Sequence, residues 1–461
     1  MEGSTYLVIA MFITFMGLLI AGYPVAYCLW GSAMIFGLVG YLADTYFDAW
    51  TGMNFNFLGV AVSRLYGFMA NWILVAIPMF IFMGLMLDRS GAAERLMRSS
   101  QNLFGRVRGG LTITATLIGV LMAASTGIIG ASVVLLGTLS LPTMLKQGYS
   151  KELSTGTVCA AGTLGILIPP SIMLVIFADQ LGLSVGDLFL GAVFPGLILA
   201  AMYLVYILIF AYIKAEAAPL PLDREPLTAR MVLAVLKDIL PPTFLILAVL
   251  GTIFAGIATV TEASGVGALA AAGLALLNRQ LKWTVFKEVL KATFHTVAYI
   301  MSILVGANAF AIVLRGLGGD EVIEGALTAL PFGPSGIVLV VIIAVFLLGF
   351  FLDWIEISLI ILPLVAPVIG KLSLAIDGYG VVDNPALVWF AIMLAVALQT
   401  SFLTPPVGGA IFYLQGICPP EVNLAHIYRG VVPFVILQLV GLVFIFLWPS
   451  LITWLPAAVY G

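Results

Sequence analysis

Apolar runs of roughly twenty residues recur along the whole chain, and the charged positions fall almost entirely between them. A helix of that length is what the hydrocarbon core of a bilayer requires. The runs predict ten crossings, at about 5–22, 24–42, 72–88, 153–182, 188–213, 232–256, 259–277, 292–315, 386–418 and 431–453. Two further apolar stretches, about 109–145 and 334–370, are interrupted near their middles at AASTGIIGAS and GFFLDWIEIS. From Leu58 to Trp72 the pattern is weakly amphipathic and carries Arg64, which predicts a helix lying at the membrane interface.

Two of the predicted crossings hold a tandem proline near their centre. One is Pro169-Pro170 in AGTLGILIPPSIMLVIF, the other Pro405-Pro406 in SFLTPPVGGAIFYLQG. Proline has no backbone N–H and its ring clashes with the carbonyl one turn earlier, so a pair stops a helix and strands carbonyls. In hydrocarbon such backbone survives only where it is buried in protein or lines a cavity. The pairs stand 405 − 169 = 236 positions apart in a chain of 461, so each half carries one. Interrupted apolar segments at matching places in two halves are the sequence signature of a secondary transporter's binding site.

Charge then orients the chain, because Lys and Arg stay on the cytoplasmic side. Arg89, Arg95, Arg98, Arg106 and Arg108 precede the first interrupted stretch, and Lys146 and Lys151 follow it. With both flanks cytoplasmic, that stretch reads as a re-entrant hairpin with Ser125, Thr126 and Gly127 at its tip. The second interrupted stretch lies between GGDEVIEG and KLSLAIDGYGVVDN, mainly acidic, and so re-enters from outside. NRQLKWTVFKEVLK reads as an amphipathic cytoplasmic arm, and a Pro-rich charged linker divides the halves. The predicted organisation is scaffold helices over 1–71, a first repeat over 72–213 and the linker over 214–230. Further scaffold helices and the arm fill 231–291, and the second repeat covers 292–461. Order is kept between the repeats and insertion is opposite: an all-α, multi-pass, inverted-repeat transporter with two hairpins and two broken helices.

Composition agrees and removes other classes. Hydrophobic residues make up 62% and charged residues 9%, against about 25% charged in a soluble domain. Cys28, Cys159 and Cys418 lie in or beside apolar runs with no metal-ligand spacing. No Ser-Lys or Ser-His dyad, HExxH or paired-acid motif is evident, so no enzyme is expected, and no nucleic-acid partner either.

Each hairpin tip is expected to face the break that follows it. Bare carbonyls with a hydroxyl replace a cation's hydration shell. The candidates are Ser125, Gly165, Ile168 and Pro169 in the first half, and Gly349, Ser401, Thr404 and Val407 in the second. Thr126, Gly127, Pro170, Pro405 and Pro406 complete the tips and breaks as substrate or gate positions. Intramembrane acids are costly and mark function, so Asp353 at the second tip, with Glu356 one turn on, is a candidate for cation or gate chemistry. Asp179 reads as solvated at the outer end of the broken crossing. Glu262 reads as a helix cap or packing lock, or as an inter-subunit contact, and Arg315 either meets a substrate carboxylate or snorkels from a helix end.

GTLGILIPPS, SFLTPPVGG, GFFLD and GIATVTEAS together resemble the large membrane subunit of tripartite ATP-independent periplasmic (TRAP) transporters, the DctM-like family, over essentially the whole chain. The resemblance implies an elevator in the bacterial inner membrane, driven by sodium. It implies an organic acid delivered by a periplasmic binding protein, and a small DctQ-like membrane subunit beside the scaffold. It implies a first sodium site on Ser125, Gly165, Ile168 and Pro169, and a second on Gly349, Ser401, Thr404 and Val407. The chain departs from the family pattern at its Ser-Thr-Gly tip, at Ser401 where glycine is usual, and at Val260 where proline is common. The alternative is a binding-protein-independent sodium/dicarboxylate symporter, whose tips carry Asn, which neither tip has here.

Overall fold

The computed structural model describes residues 2–47, 53, 55–104, 106–127, 129–220, 228–405 and 408–461. Among them every regular element is a helix. The first half runs α1 (Glu2–Ile20), α2 (Val25–Phe47), α3 (Phe55–Met69), α4 (Trp72–Arg89), α5 (Ala92–Phe104), α6 (Gly110–Thr126) and α7 (Ile129–Lys146). It continues with α8 (Lys151–Thr163), α9 (Ile172–Leu181) and α10 (Val185–Ile213). The second half opens with α11 (Ala229–Phe254), α12 (Val260–Leu277), α13 (Trp283–Gly316) and α14 (Gly319–Thr328). Then come α15 (Pro334–Leu348), α16 (Trp354–Ile360), α17 (Leu362–Lys371), α18 (Pro385–Leu403), α19 (Gly409–Gln415), α20 (Leu424–Leu447) and α21 (Ser450–Tyr460).

Helix starts follow short polar side chains that satisfy the first free N–H groups. Asn71 accepts from Ile73 N at 3.0 Å, and Ser150 accepts from Leu153 N at 3.1 Å. At the head of α12, Thr259 and Glu262 form a reciprocal capping box, with Glu262 Oε2 accepting from Thr259 N at 2.8 Å. Glu262 is therefore a cap. Thr261 Oγ1, in the same turn, donates to Trp72 O at 2.8 Å and fixes α12 against α4.

The helices sort into two packed sets. In one, a frame, α4 lies against α12 and α13, α2 against α13, and α11 against α12 and α5. Gly267 lets α12 approach closely, since a Cβ there would stand 2.7 Å from Met83 Sδ. The frame turns large apolar residues outward, among them Leu233, Leu240, Phe244 and Leu247 on α11. The other set, the hairpin unit, centres on α8, which is covered by α6, α7 and α20, and on α18, buried from Val388 to Leu403. Lipid is as apolar as these side chains, so close packing rather than water exclusion holds such helices together. The tightest crossing is Gly156 on α8 against Gly430 on α20, where a Cβ on either residue would overlap the other helix's backbone.

The two halves share an order: crossing, short helix, hairpin, broken helix, crossing. In the first half this is α4, α5, α6–α7, α8–α9 and α10. In the second it is α13, α14, α15–α17, α18–α19 and α20. Both halves turn from crossing to short helix at a left-handed glycine, Gly91 at φ +73° and Gly318 at φ +80°, a conformation open to glycine at no steric cost.

Three elements differ from the sequence reading. The basic segment before residue 292 is no separate arm, because α13 runs unbroken for 34 residues, about 50 Å at 1.5 Å per residue. From Trp283 to Val305 there is neither Gly nor Pro to stop it, so charge marked where the helix leaves hydrocarbon and not where it ends. GGDEVIEG, read only as an acidic external flank, contributes most of α14. The last crossing ends at Leu447, and Pro449 starts a separate helix, α21, which packs against α10. Among the described residues nine helices are long and apolar enough to cross a membrane. They are not the ten predicted crossings: one is the hairpin arm α7, the first crossing counts only as the shorter apolar helix Thr5–Ile20, and the 153–182 crossing is absent because its break divides it into two short helices.

Candidate functional site

The first break lies between α8 and α9. Past Thr163 the backbone tightens into a 3-10 turn, Leu164–Ile166, and the N–H groups of Leu167 and Ile168 both donate to Leu164 O at 3.1 and 3.0 Å. In a continuous helix the N–H groups of residues 169 and 170 would bond the carbonyls of Gly165 and Ile166. Pro169 and Pro170, joined by a cis peptide bond, have none to give. Ser171 Oγ replaces one of them, donating to Ile166 O at 2.5 Å. Gly165 O has lost the N–H that an unbroken helix would have supplied, and the chain beyond it passes through Ile168 and Pro169.

The first hairpin brings its tip to this place. α6 ends on Ser125 and Thr126, and Gly127 turns the chain at φ +58°. A Cβ on Gly127 would stand 3.2 Å from Ile172 N and 3.1 Å from Ile172 Cγ1. The tip therefore rests on the first turn of α9, directly after the proline pair. The side chains expected from Ser125 and Thr126 lie outside the described residues.

The second break follows α18. Thr404 N donates to Ser401 O at 3.1 Å, so the last turn tightens to 3-10 geometry. Thr404 Oγ1 donates to Thr400 O at 2.7 Å, and Ser401 Oγ donates to Leu398 O at 2.8 Å. Each hydroxyl proton is spent inside the helix, which leaves the oxygen lone pairs to accept from, or ligate, something else. Pro405 follows, and Pro406 and Val407 lie outside the described residues. The chain folds back so that Gly408 abuts the carbonyls of Phe402 and Thr404, 2.7 and 3.0 Å from where its Cβ would stand.

The second hairpin tip meets this break too. α15 ends at Gly349, and a Cβ there would overlap Ser401 Oγ. Only a hydrogen fits between the tip backbone and the Ser401 hydroxyl. In both halves, then, a hairpin tip lies on a proline break. At the first break the contact is Gly127 on Ile172, three residues after Pro169; at the second it is Gly349 on Ser401, three residues before Thr404.

The two acids of the second tip have a local duty that the sequence reading did not foresee. Asp353 Oδ1 accepts from Trp354 N at 2.7 Å, and Glu356 accepts from Asp353 N in a reciprocal capping box at the head of α16. Glu356 is buried, and its Oε1 takes a further hydrogen bond from Tyr299 Oη of α13 at 3.3 Å. The acids hold the start of the returning helix and tie it to the frame. Asp179 is also unlike its expectation. It is half-buried, and Asn71 Nδ2 and Gln180 Nε2 both donate to it, the second at 2.8 Å. The Asn71 bond joins the head of α4 in the frame to α9 in the hairpin unit. Arg315 forms an ion pair with Asp320 at 3.4 Å and donates from Nη2 to Pro363 O at 3.4 Å.

Sequence reasoning passed over Tyr299, Asn71 and a buried trio in the hairpin unit. In that trio Gln438 Nε2 and Gln399 Nε2 donate to Tyr203 Oη at 2.6 and 3.5 Å. Gln399 stands two positions before Ser401 and helps fix the end of α18. Most of these residues are lone polar side chains in an apolar run, and Gln399 opens the polar triplet Gln399-Thr400-Ser401; that was the available signal.

Comparison with known proteins identifies the family. Residues 12–451 match the family described as "Tripartite ATP-independent periplasmic transporter, DctM component". The chain is 30% identical to the C4-dicarboxylate TRAP transporter large permease protein DctM of Vibrio cholerae, over 98% of each chain. It is 28% identical to the ectoine TRAP transporter large permease protein TeaC of Halomonas elongata, over 96% of this chain and 97% of that one. Among solved structures the fold is similar to the YdaH transporter of Alcanivorax borkumensis, with a TM-score of 0.60 at 12% identity over 96% and 98% of the two chains. The chain therefore belongs to the DctM component family of tripartite ATP-independent periplasmic transporters, as a multi-pass transport protein of the bacterial inner membrane and not an enzyme.

Proposed function

We propose that this chain is the large permease subunit of a sodium-coupled importer of an organic acid. A periplasmic binding protein delivers the acid, and the hairpin unit carries it across by moving against the frame as an elevator. The observation that carries the proposal is the meeting of each hairpin tip with a proline break: Gly127 on Ile172, and Gly349 on Ser401. Two such meetings give two clusters of main-chain and hydroxyl oxygens, the ligand type that suits a bare monovalent cation. The first would use Ser125, Gly165, Ile168 and Pro169. The second would use Gly349, Ser401, Thr404 and Val407. Sodium held at both would fix the tips on the breaks and neutralise part of the charge of a carboxylate lodged between them. The small DctQ-like subunit would stand against the lipid-facing side of the frame.

An acid is favoured because both relatives named above are large permeases for carboxylate-bearing molecules. The test is uptake into proteoliposomes that hold this chain with its small subunit, with and without an inward sodium gradient and with and without the loaded binding protein. Uptake is expected only when both are supplied. Uptake that persists when potassium replaces sodium removes the coupling, and uptake of free acid without the binding protein favours the simpler symporter.

A further inference from the structure

We infer that a polar cavity between the frame and the hairpin unit is where the incoming acid's carboxylate is first held, before it reaches the hairpin tips. This rests on the organic-acid reading above. The cavity measures about 290 Å³ and is lined by Arg64 of α3, Asn308 and Arg315 of α13, Asp179 and Gln180 of α9, and Pro363 of α17. Its size is at the small end of ligand pockets, which begin near 300 Å³, and suits a small acid. It lies at the end of the bundle that the charge pattern assigns to the exterior, where a delivered substrate arrives.

The chemistry of its walls selects an anion. Among the described residues no ion pair or hydrogen bond holds the Arg64 guanidinium, which is exposed. Arg315 meets Asp320 through Nε and gives Nη2 to Pro363 O, and the remaining N–H groups of its planar fork are free to match a carboxylate. The acid in the wall, Asp179, takes its hydrogen bonds from the neutral amides of Asn71 and Gln180 and, among the described residues, forms no ion pair with either arginine. Asn308 Oδ1 is buried without a hydrogen-bond partner, so the cavity also offers an acceptor for a substrate hydroxyl or a bridging water.

Arg64, Asn308 and Arg315 come from frame helices, Asp179, Gln180 and Pro363 from the hairpin unit. An occupant is therefore gripped only while the two sets keep this relation. Movement of the hairpin unit dismantles the cavity and passes the acid on.

The experiment uses the full reconstituted transporter with its binding protein, and succinate, ectoine and N-acetylneuraminate as probes. For whichever acid the wild type carries, Arg64→Gln and Arg315→Gln should each raise the half-saturating acid concentration about tenfold, the worth of one charge-assisted carboxylate contact. Half-saturating sodium should stay within about twofold, because both side chains lie away from the breaks. Arg64→Lys, which keeps the charge and loses the fork, should fall between. Arg315→Gln also breaks the Asp320 pair, so Asp320→Asn is measured beside it, and the exposed Arg64 variants carry the test if Arg315→Gln misfolds. Binding-protein affinity is read separately by surface association. If wild type carries none of the probes, the organic-acid reading falls and this inference with it. If wild type transports and the Arg64 variants leave the acid dependence unchanged, or weaken only binding-protein association, the cavity assignment alone is overturned.

Discussion

The two proline breaks share a pattern and differ in how they are closed. The first is sealed within the hairpin unit: α8 and α9 are buried along nearly their whole lengths, and Ser171 Oγ repairs one of the two stranded carbonyls. The second is half-open. Thr404 and Pro405 are partly exposed, and the facing hairpin bears two acids, one bonded to Tyr299 of the frame. Charged side chains tie this second hairpin to its neighbours, with Lys371 Nζ to Glu324 Oε1 of α14 at 2.6 Å and Arg315 Nη2 of α13 to Pro363 O. The first half has the Asn71–Asp179 bond in the same role. On the proposed mechanism the first break is a standing cation site. The second is the one whose ligation responds when the hairpin unit shifts.

The largest expected effect follows from the contact between the second hairpin tip and its break. Gly349→Ala places a methyl on Ser401 Oγ, an overpacking worth about 1–3 kcal/mol. The thermal midpoint in detergent should fall and half-saturating sodium should rise. Gly251→Ala in α11, where a Cβ meets open space, should change neither. Equal behaviour of the two variants would dissolve the second site.

Next is Ser171→Ala, which leaves Ile166 O without the hydroxyl that now satisfies it. A buried polar group so stranded costs about 1–3 kcal/mol. The loss should show in thermal stability more than in sodium dependence, because that hydroxyl mends the backbone. A pure sodium effect would instead make Ser171 a ligand. Thr404→Ala should do the reverse. Half-saturating sodium should rise several-fold, corresponding to about 1 kcal/mol for a lost hydroxyl contact, with the fold intact by circular dichroism and gel filtration.

The smallest effect belongs to Tyr299→Phe, which removes a bond of 3.3 Å to Glu356. The expected change is about 0.5–1.5 kcal/mol. It should appear as a faster exchange rate at unchanged sodium affinity, since the bond joins frame to hairpin unit. Unchanged exchange would mean the Tyr299 contact is no part of the gate, and the contrast between the two breaks would lose its main support.

Much of this was legible because a bilayer enforces simple rules. Apolar length gave most of the crossings and tandem proline gave the breaks. What stayed hidden turned on contacts between distant segments. Nothing local to Asp353 and Glu356 says that they cap their own helix while facing Tyr299, some fifty-seven positions away. Asp179 reads as solvated because its partner Asn71 lies 108 positions earlier. Helix ends were misplaced where charge and chain geometry disagree: α13 continues past the last lysine of its basic segment because no glycine or proline intervenes. The left-handed glycines Gly91 and Gly318, which mark the same turn in both halves, were visible as letters and became a repeat only in three dimensions.

Anomalous scattering from thallium(I), a monovalent stand-in for the transported cation, tests the central claim most directly. Crystals or vitrified samples of the full complex in thallium salt should show two separate densities. One should lie between Gly127 and the carbonyls of Gly165 and Ile168. The other should lie between Gly349 and the oxygens of Ser401 and Thr404, and should be lost in Thr404→Ala while the first persists. Density at neither break under saturating thallium, or density only in the arginine-lined cavity, would contradict the account.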